Sequence, residues 1–390
     1  ETPIDMVLDV GLGALRETVT GDDAVGYRVA MTTAFTGEEM VYFVVREDGG
    51  YKIAGFAQAL DSLGREALRR LERSDLQGAR QWLDWAREEV WSGGGDDPLA
   101  FSPFTILWTR GAEATAEEAR CAAASLLAGS ASSDISVPLL LACRDAAPQG
   151  SRTAIDLSLS YSYQRLKRYA EMADTAQRLA AAAPRSLRAY ELLTGALAKI
   201  GRWDDVRRLA EQRLAAAADD PAALRSLHRA AEQRGEIEEA GKHLQRLVNA
   251  GKADDTDFNN LAWLALFHGT VDERAIETAQ RAVMLDDYED PSSLHTLASL
   301  YAELGKNAEA YKVILQALEA GSGTPYPHDW YVFGRLAEHY GLPEAARRYY
   351  ERVEAPETGE ADFASTWRLA RQRLALLGPE GKEPKQARRK

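Results

Sequence analysis

Two periodicities divide the chain. From Tyr27 to Phe56 apolar and polar residues alternate: Tyr27, Val29, Met31 and Phe35 interleave with Arg28, Ala30 and Thr32, and Val41, Phe43 and Val45 with Tyr42 and Val44. A period of two predicts strands. Thr36-Gly37 and Glu47-Asp48-Gly49-Gly50 supply turns, and Tyr51 to Phe56 returns as a third strand, which makes a small antiparallel meander. Before it, Ile4, Met6, Val7, Val10, Leu12 and Leu15 fall near helical spacing and predict a helix over 4–18, weakened by Gly11 and Gly13. One helix and three strands bury little surface, so this α+β element, residues 1–57, is expected to lean on the helices that follow or to end a larger domain. Its final hairpin resembles the last hairpin of NTF2-like folds over a short stretch, too little to carry over a ligand pocket.

Beyond residue 58 the period becomes that of helices. Leu63, Ala67, Leu68 and Leu71, then Leu76, Ala79, Leu83 and Ala86, predict two helices broken near Ser74-Asp75, and two more are expected at about 115–127 and 136–146. The Ser92-to-Pro98 run between them cannot continue a helix. From residue 151 to 356 the pattern repeats itself. Turns between paired helices fall at Lys167, Gly201, Gly235, Gly269, Gly305 and Gly341, at steps of 34, 34, 34, 36 and 36 residues. Eight residues before the turn comes an apolar residue (Leu193, Leu227, Leu261, Leu297, Phe333). Seven before it a small one recurs (Ser160, Ala262, Ala298, Gly334), and about five after it another (Ala240, Ala310, Ala346). Small residues let paired helices approach closely.

Period and residue types together resemble the tetratricopeptide repeat. The best match is Leu294, Leu297, Ala298, Tyr301, Gly305, Ala310 and Ala317, followed by Trp330, Phe333, Gly334, Gly341, Ala346 and Tyr350. The fold expected is therefore mostly α: an α-α superhelix of six such repeats over 151–356, preceded by degenerate helix pairs over 58–150. A capping helix over 361–378 would carry Phe363, Trp367, Ala370 and Leu374 on one stripe. The tail 379–390, rich in Lys and Arg without periodicity, is expected to be disordered.

Composition narrows the function classes. A formal charge of −13 opposes nucleic-acid phosphate, and no apolar run approaches a membrane span. The chain starts at Glu1, so a signal peptide or other leading segment removed from it is an open expectation, and with it the compartment. Cys121 and Cys143 sit on neighbouring predicted helices, which leaves a disulfide open against two buried thiols. Trp82, Trp85, Trp91 and Trp108, close in sequence with Phe101 and Phe104, fit a core joining meander to helices, with an aromatic or carbohydrate ligand site as the other reading.

No residue set identifies a reaction. The histidines are scattered outside any HExxH or Cys/His spacing; His328, Glu338 and His339 flank one helix and are the nearest to a metal set. The chain is accordingly read as non-catalytic, with no cofactor and no metal. The resemblance implies protein or peptide binding on the concave wall made by the first helix of each pair. Projecting its register offers Tyr161, Arg165, Arg188, Arg225, Arg229, Asn259, Trp263, His295, Tyr331 and Arg335 to a partner, with Ser299 beside them. Arg165, Arg188, Arg225 and Arg229 would make a basic patch for an acidic or C-terminal carboxylate segment, or be paired within the chain. A second reading makes the array the docking module of a larger bacterial protein whose catalytic or sensory domain precedes residue 1.

Overall fold

A computed structural model describes residues 15–33, 37–90, 93–268, 271–356 and 362–378. The chain divides into two compact units, residues 1–200 and 201–390.

Among the described residues the first unit begins with four strands, β1 (Leu15–Asp22), β2 (Gly26–Thr33), β3 (Glu39–Glu47) and β4 (Gly50–Phe56), in an antiparallel sheet of that order. The sequence pattern predicts three strands and a helix running to Thr18. Residues 4–14 lie outside the described ones, but from Leu15 the chain is extended and pairs with β2, Thr18 against Ala30 and Thr20 against Arg28. Thr18, Val19 and Thr20 are β-branched and suit a pleated surface. The Asp22 carboxylate closes the turn by accepting from the backbone N–H groups of Ala24 and Val25.

Val41, Phe43 and Val45, on one face of β3, are buried against α1 (Leu60–Glu72) and α2 (Leu76–Glu89). Phe43, Trp82 and Trp85 pack with ring centroids 5.4–6.1 Å apart. The Trp82 indole N–H donates to the Val25 carbonyl at 2.7 Å, and that of Trp108 to Asp84 at 3.0 Å. These three tryptophans are core that fastens sheet to helices, as large aromatic surface prefers; Trp91 lies outside the described residues. Buried Arg70 completes the join by donating to Glu66, Asp75 and the Ala24 carbonyl.

A short helix α3 (Pro103–Leu107), absent from the sequence reading, precedes α4 (Ala116–Leu126) and α5 (Ser133–Ala146). Cys121 and Cys143 join these two in a disulfide, with Cα atoms 5.7 Å apart. Then come α6 (Gln149–Arg165), α7 (Tyr169–Ala182) and α8 (Leu187–Lys199). Buried Asp156 on α6 accepts from Arg144 of α5 and Arg178 of α7.

The second unit runs from α9 (Trp203–Ala216) through α10 (Pro221–Gln233), α11 (Ile237–Asn249), α12 (Asp255–Leu264), α13 (Glu273–Leu285), α14 (Pro291–Glu303), α15 (Asn307–Ala320), α16 (Trp330–His339) and α17 (Pro343–Tyr350) to α18 (Thr366–Leu377). Each even-numbered helix from α10 to α16 packs against its successor. In both units helix pairs stack on one another in an α-α arrangement.

The spacing of turns has a backbone cause. Lys167, Gly201, Gly235, Gly305 and Gly341 all stand at φ between 56° and 74°; Gly269 lies outside the described residues. In four of these turns the following N–H (Arg168, Glu236, Lys306, Leu342) donates 2.9 Å to a carbonyl five residues back, a Schellman closure that satisfies a helix end. Asp220 and Asp290 then cap helices that begin at Pro221 and Pro291. The small residue seven before the turn is Gly334 in α16, where an added Cβ would stand 2.4 Å from the Tyr350 ring.

The final helix packs on α17 and α16 as a cap, with Ala370 buried. Phe363 does not share its stripe. It belongs to a preceding turn that packs on α10 instead. The basic tail 379–390 lies outside the described residues.

Candidate binding groove

Within the second unit the first helices α10, α12, α14 and α16 carry most of the residues projected towards a partner. The structure brings many of them to one another. Arg225 of α10 donates to both carboxylate oxygens of Asp257 on α12, at 2.7–3.1 Å, and to Asp254 at 2.6 Å. Asp257 is buried, and its other role is a capping box with Asp254. The ordinary pKa of Arg225 is raised, chiefly by its hydrogen bond to Asp257.

Further along the stack, Tyr331 and Arg335 of α16 both donate to Glu303 of α14, at 2.5 and 2.6 Å. Arg335 also pairs with Glu338, which in turn receives Arg373 from the capping helix. Burial pushes the Tyr331 phenol up, with the Glu303 charge acting in the same sense. His295 of α14 sets Nδ1 at 3.0 Å from Asp329, one repeat later, while Ser299 Oγ lies 3.4 Å from its Nε2.

These contacts correct the projected groove. His295, Ser299, Tyr331 and Arg335 are buried, none more than 6% exposed, and are not offered to solvent. The reason is geometric: side chains that successive first helices turn towards one another come within hydrogen-bonding reach, so polar groups there satisfy each other. A ladder of polar cross-links, about one repeat apart in sequence, results.

The basic patch is divided in the same way. Arg188 of the first unit is half-buried; its guanidinium donates to the Leu99 carbonyl at 2.8 Å and lies over the Tyr161 ring. Tyr161 is partly buried, whereas Arg165 in that unit and Arg229 in the second are exposed. The His328, Glu338 and His339 set does not assemble: Glu338 is held by arginines, and His339 Nδ1 lies 2.7 Å from Asn307.

Trp263 of α12 meets a later segment of the chain. Its indole N–H donates at 2.8 Å to the backbone carbonyl of Ala364, 101 residues later. Ala364 is buried with Leu224 and Ala231 of α10 and Leu264 of α12. Phe363 lies over the turn at Gly235, where a Cβ would stand 2.8 Å from the ring. One helical turn before Trp263, the side-chain oxygen of Asn259 is buried and has no hydrogen-bond partner among the described residues. This docking of a later segment onto first helices was not legible in the sequence, because nothing local marks a contact so distant along the chain.

Ser299, His295 and Asp329 follow the order of a hydrolytic triad. Ser299 is wholly buried, however, so no substrate carbonyl reaches its oxygen.

No protein-family model matches the sequence, and no curated protein matches it. Solved structures do. YrrB, described as a TPR protein with an unusual peptide-binding site, is 15% identical over 46% of this chain and 91% of its own, with a TM-score of 0.38. PilF of Pseudomonas aeruginosa is 16% identical over 56% of this chain and 96% of its own, at 0.42. The Cut9–Hcn1 hetero-tetramer of the APC/C matches at 14% over 82% of this chain and 63% of the matched one, at 0.47. Among the described residues no helix is long and apolar enough to cross a membrane.

Proposed function

We infer that this tetratricopeptide-type array is a protein-binding scaffold whose second unit takes an extended peptide segment along the first helices α10 and α12. The observation that carries it is the seating of Phe363 and Ala364: an aromatic side chain over the Gly235 turn, a small one buried in the apolar cluster, and a main-chain carbonyl held by Trp263. Main-chain recognition of this kind accepts any segment with the right side chains at two positions. Asn259 supplies an acceptor for a backbone N–H of an entering segment. The chain's own sequence around the site, Glu360, Asp362, Phe363 and Ala364, describes the partner by chemistry: an aromatic and a small residue flanked by acids, with exposed Arg229 on α10 favouring the acidic flank.

The resident segment competes in cis at high effective concentration. A partner therefore binds best when that segment is displaced. A fluorescein-labelled peptide of residues 359–366 tests this by anisotropy against the full chain carrying Phe363→Ser, which frees the groove. Binding that Trp263→Ala abolishes supports the reading, and absence of binding to Phe363→Ser removes it. The same groove would serve a docking module of a longer protein. The Cys121–Cys143 bond supports a place in an oxidising compartment.

A further inference from the structure

We propose that His295, His328 and Asp329 form a site for one first-row transition-metal dication, zinc(II) being the reference ion, that pins two successive repeats together. One nitrogen of each imidazole and a carboxylate oxygen lie within 4.8 Å of one another. Asp329 Oδ1 sits between the rings, 3.0 Å from His295 Nδ1 and 3.6 Å from His328 Nε2. A tetrahedral ion with bonds of about 2.0–2.2 Å asks for donors about 3.3 Å apart; both nitrogen–carboxylate distances are close to that, and the two imidazole nitrogens, up to 4.8 Å apart, draw together as the partly exposed His328 ring turns. Two imidazoles and a carboxylate form a donor set that suits zinc.

The surroundings hold these ligands as metal ligands are commonly held. Asp329 Oδ2 accepts from the Tyr326 backbone N–H at 2.8 Å, which fixes the carboxylate plane. Ser299 Oγ stands 3.4 Å from the far nitrogen of His295, where an outer partner sets tautomer and ring orientation. The Tyr326 ring stacks on His328, 5.6 Å between centroids, and Trp263 lies beside His295 at 5.8 Å. His295 and Asp329 are buried, whereas His328 is partly exposed and gives an ion its entry. An ion bound there takes the place of the contact between His295 Nδ1 and Asp329 Oδ1. Because His295 belongs to α14 and the other two ligands to the turn before α16, the ion would cross-link neighbouring first helices where the other polar pairs already do.

The full chain, stripped with a chelator, is titrated with zinc(II) by calorimetry and with cobalt(II) by visible absorption. One equivalent is expected, with the absorption of a tetrahedral cobalt site. His328→Ala, at a partly exposed position, and Asp329→Asn, which keeps an acceptor for Tyr326, should each weaken zinc at least about 10-fold. His339→Ala should leave affinity unchanged. A plain His–Asp hydrogen bond predicts no zinc binding tighter than about 0.1 mM, which is the weak-binding range. That outcome, or equal affinity in the His328→Ala chain, overturns the proposal.

Discussion

Gly334→Ala is a substitution whose sign the structure decides. In an isolated helix the change would stabilise by about 1 kcal/mol, because alanine loses less backbone freedom. At this position the new Cβ would stand 2.4, 2.6 and 2.8 Å from three ring carbons of Tyr350. The ring cannot swing away, being fully buried and backed by Tyr331 at 5.8 Å between centroids. Overpacking of this degree costs about 1–3 kcal/mol, so a net destabilisation of up to about 2 kcal/mol is expected once the propensity gain of about 1 kcal/mol is subtracted. Gly195→Ala, in α8, is the matched control: nothing lies within 4 Å of its added Cβ, and the propensity gain should survive there. Urea unfolding followed by circular dichroism measures both, with hydrogen exchange localising the loss to α16 and α17. A Tyr350→Leu background should convert Gly334→Ala to neutral or stabilising. Stabilisation by Gly334→Ala in the wild-type background would refute close approach of these helices as the reason for the small residue.

Other expectations follow from the same contacts. Arg225→Ala should destabilise by about 2 kcal/mol, less than a wholly buried pair would because Arg225 is itself partly solvated, while exposed Arg229→Ala changes stability by less than about 0.5 kcal/mol; denaturant titration separates them. Burial depresses the His228 imidazole to about 4. The unfolded chain therefore binds a proton that the folded chain refuses, so stability is complete above about pH 6.5 and declines as pH falls towards 4, by up to roughly 3 kcal/mol; His228→Leu should flatten that part of the profile. Reducing the Cys121–Cys143 bond, which closes a 22-residue separation, should lower stability by about 3 kcal/mol, read as a reductant-dependent fall in the urea midpoint that Cys121→Ala/Cys143→Ala abolishes.

Legibility in the sequence followed locality. The repeat period could be read because each turn needs a residue tolerant of positive φ, and each helix pair needs a small residue where it closes; Gly305 and Ala298 announce themselves within one unit. The sequence pattern predicts helix for Leu15–Thr18, the first half of β1, because β1 lies at the edge of the described sheet and Arg16 and Glu17 interrupt the apolar alternation, so its pairing with β2 leaves little imprint. Burial of four projected residues, His295, Ser299, Tyr331 and Arg335, escapes the sequence for a different reason. A register projects side chains from one helix and cannot see that Glu303 waits for Arg335, or Asp329 for His295, on the next. Those partners stand 32 and 34 residues away, so ligand sets such as His295, His328 and Asp329 escape searches built on spacings within one helix. Docking of Ala364 on Trp263 is more distant still.

The most direct measurement of a peptide-binding groove is anisotropy of the labelled 359–366 peptide titrated with three forms of the 390-residue chain. Weak binding is expected to the wild type, where Phe363 and Ala364 hold the site, binding at least about 10-fold tighter to Phe363→Ser, and none to Phe363→Ser/Trp263→Ala. Equal affinity in all three chains, or no binding to any, would contradict a peptide-binding groove on α10 and α12.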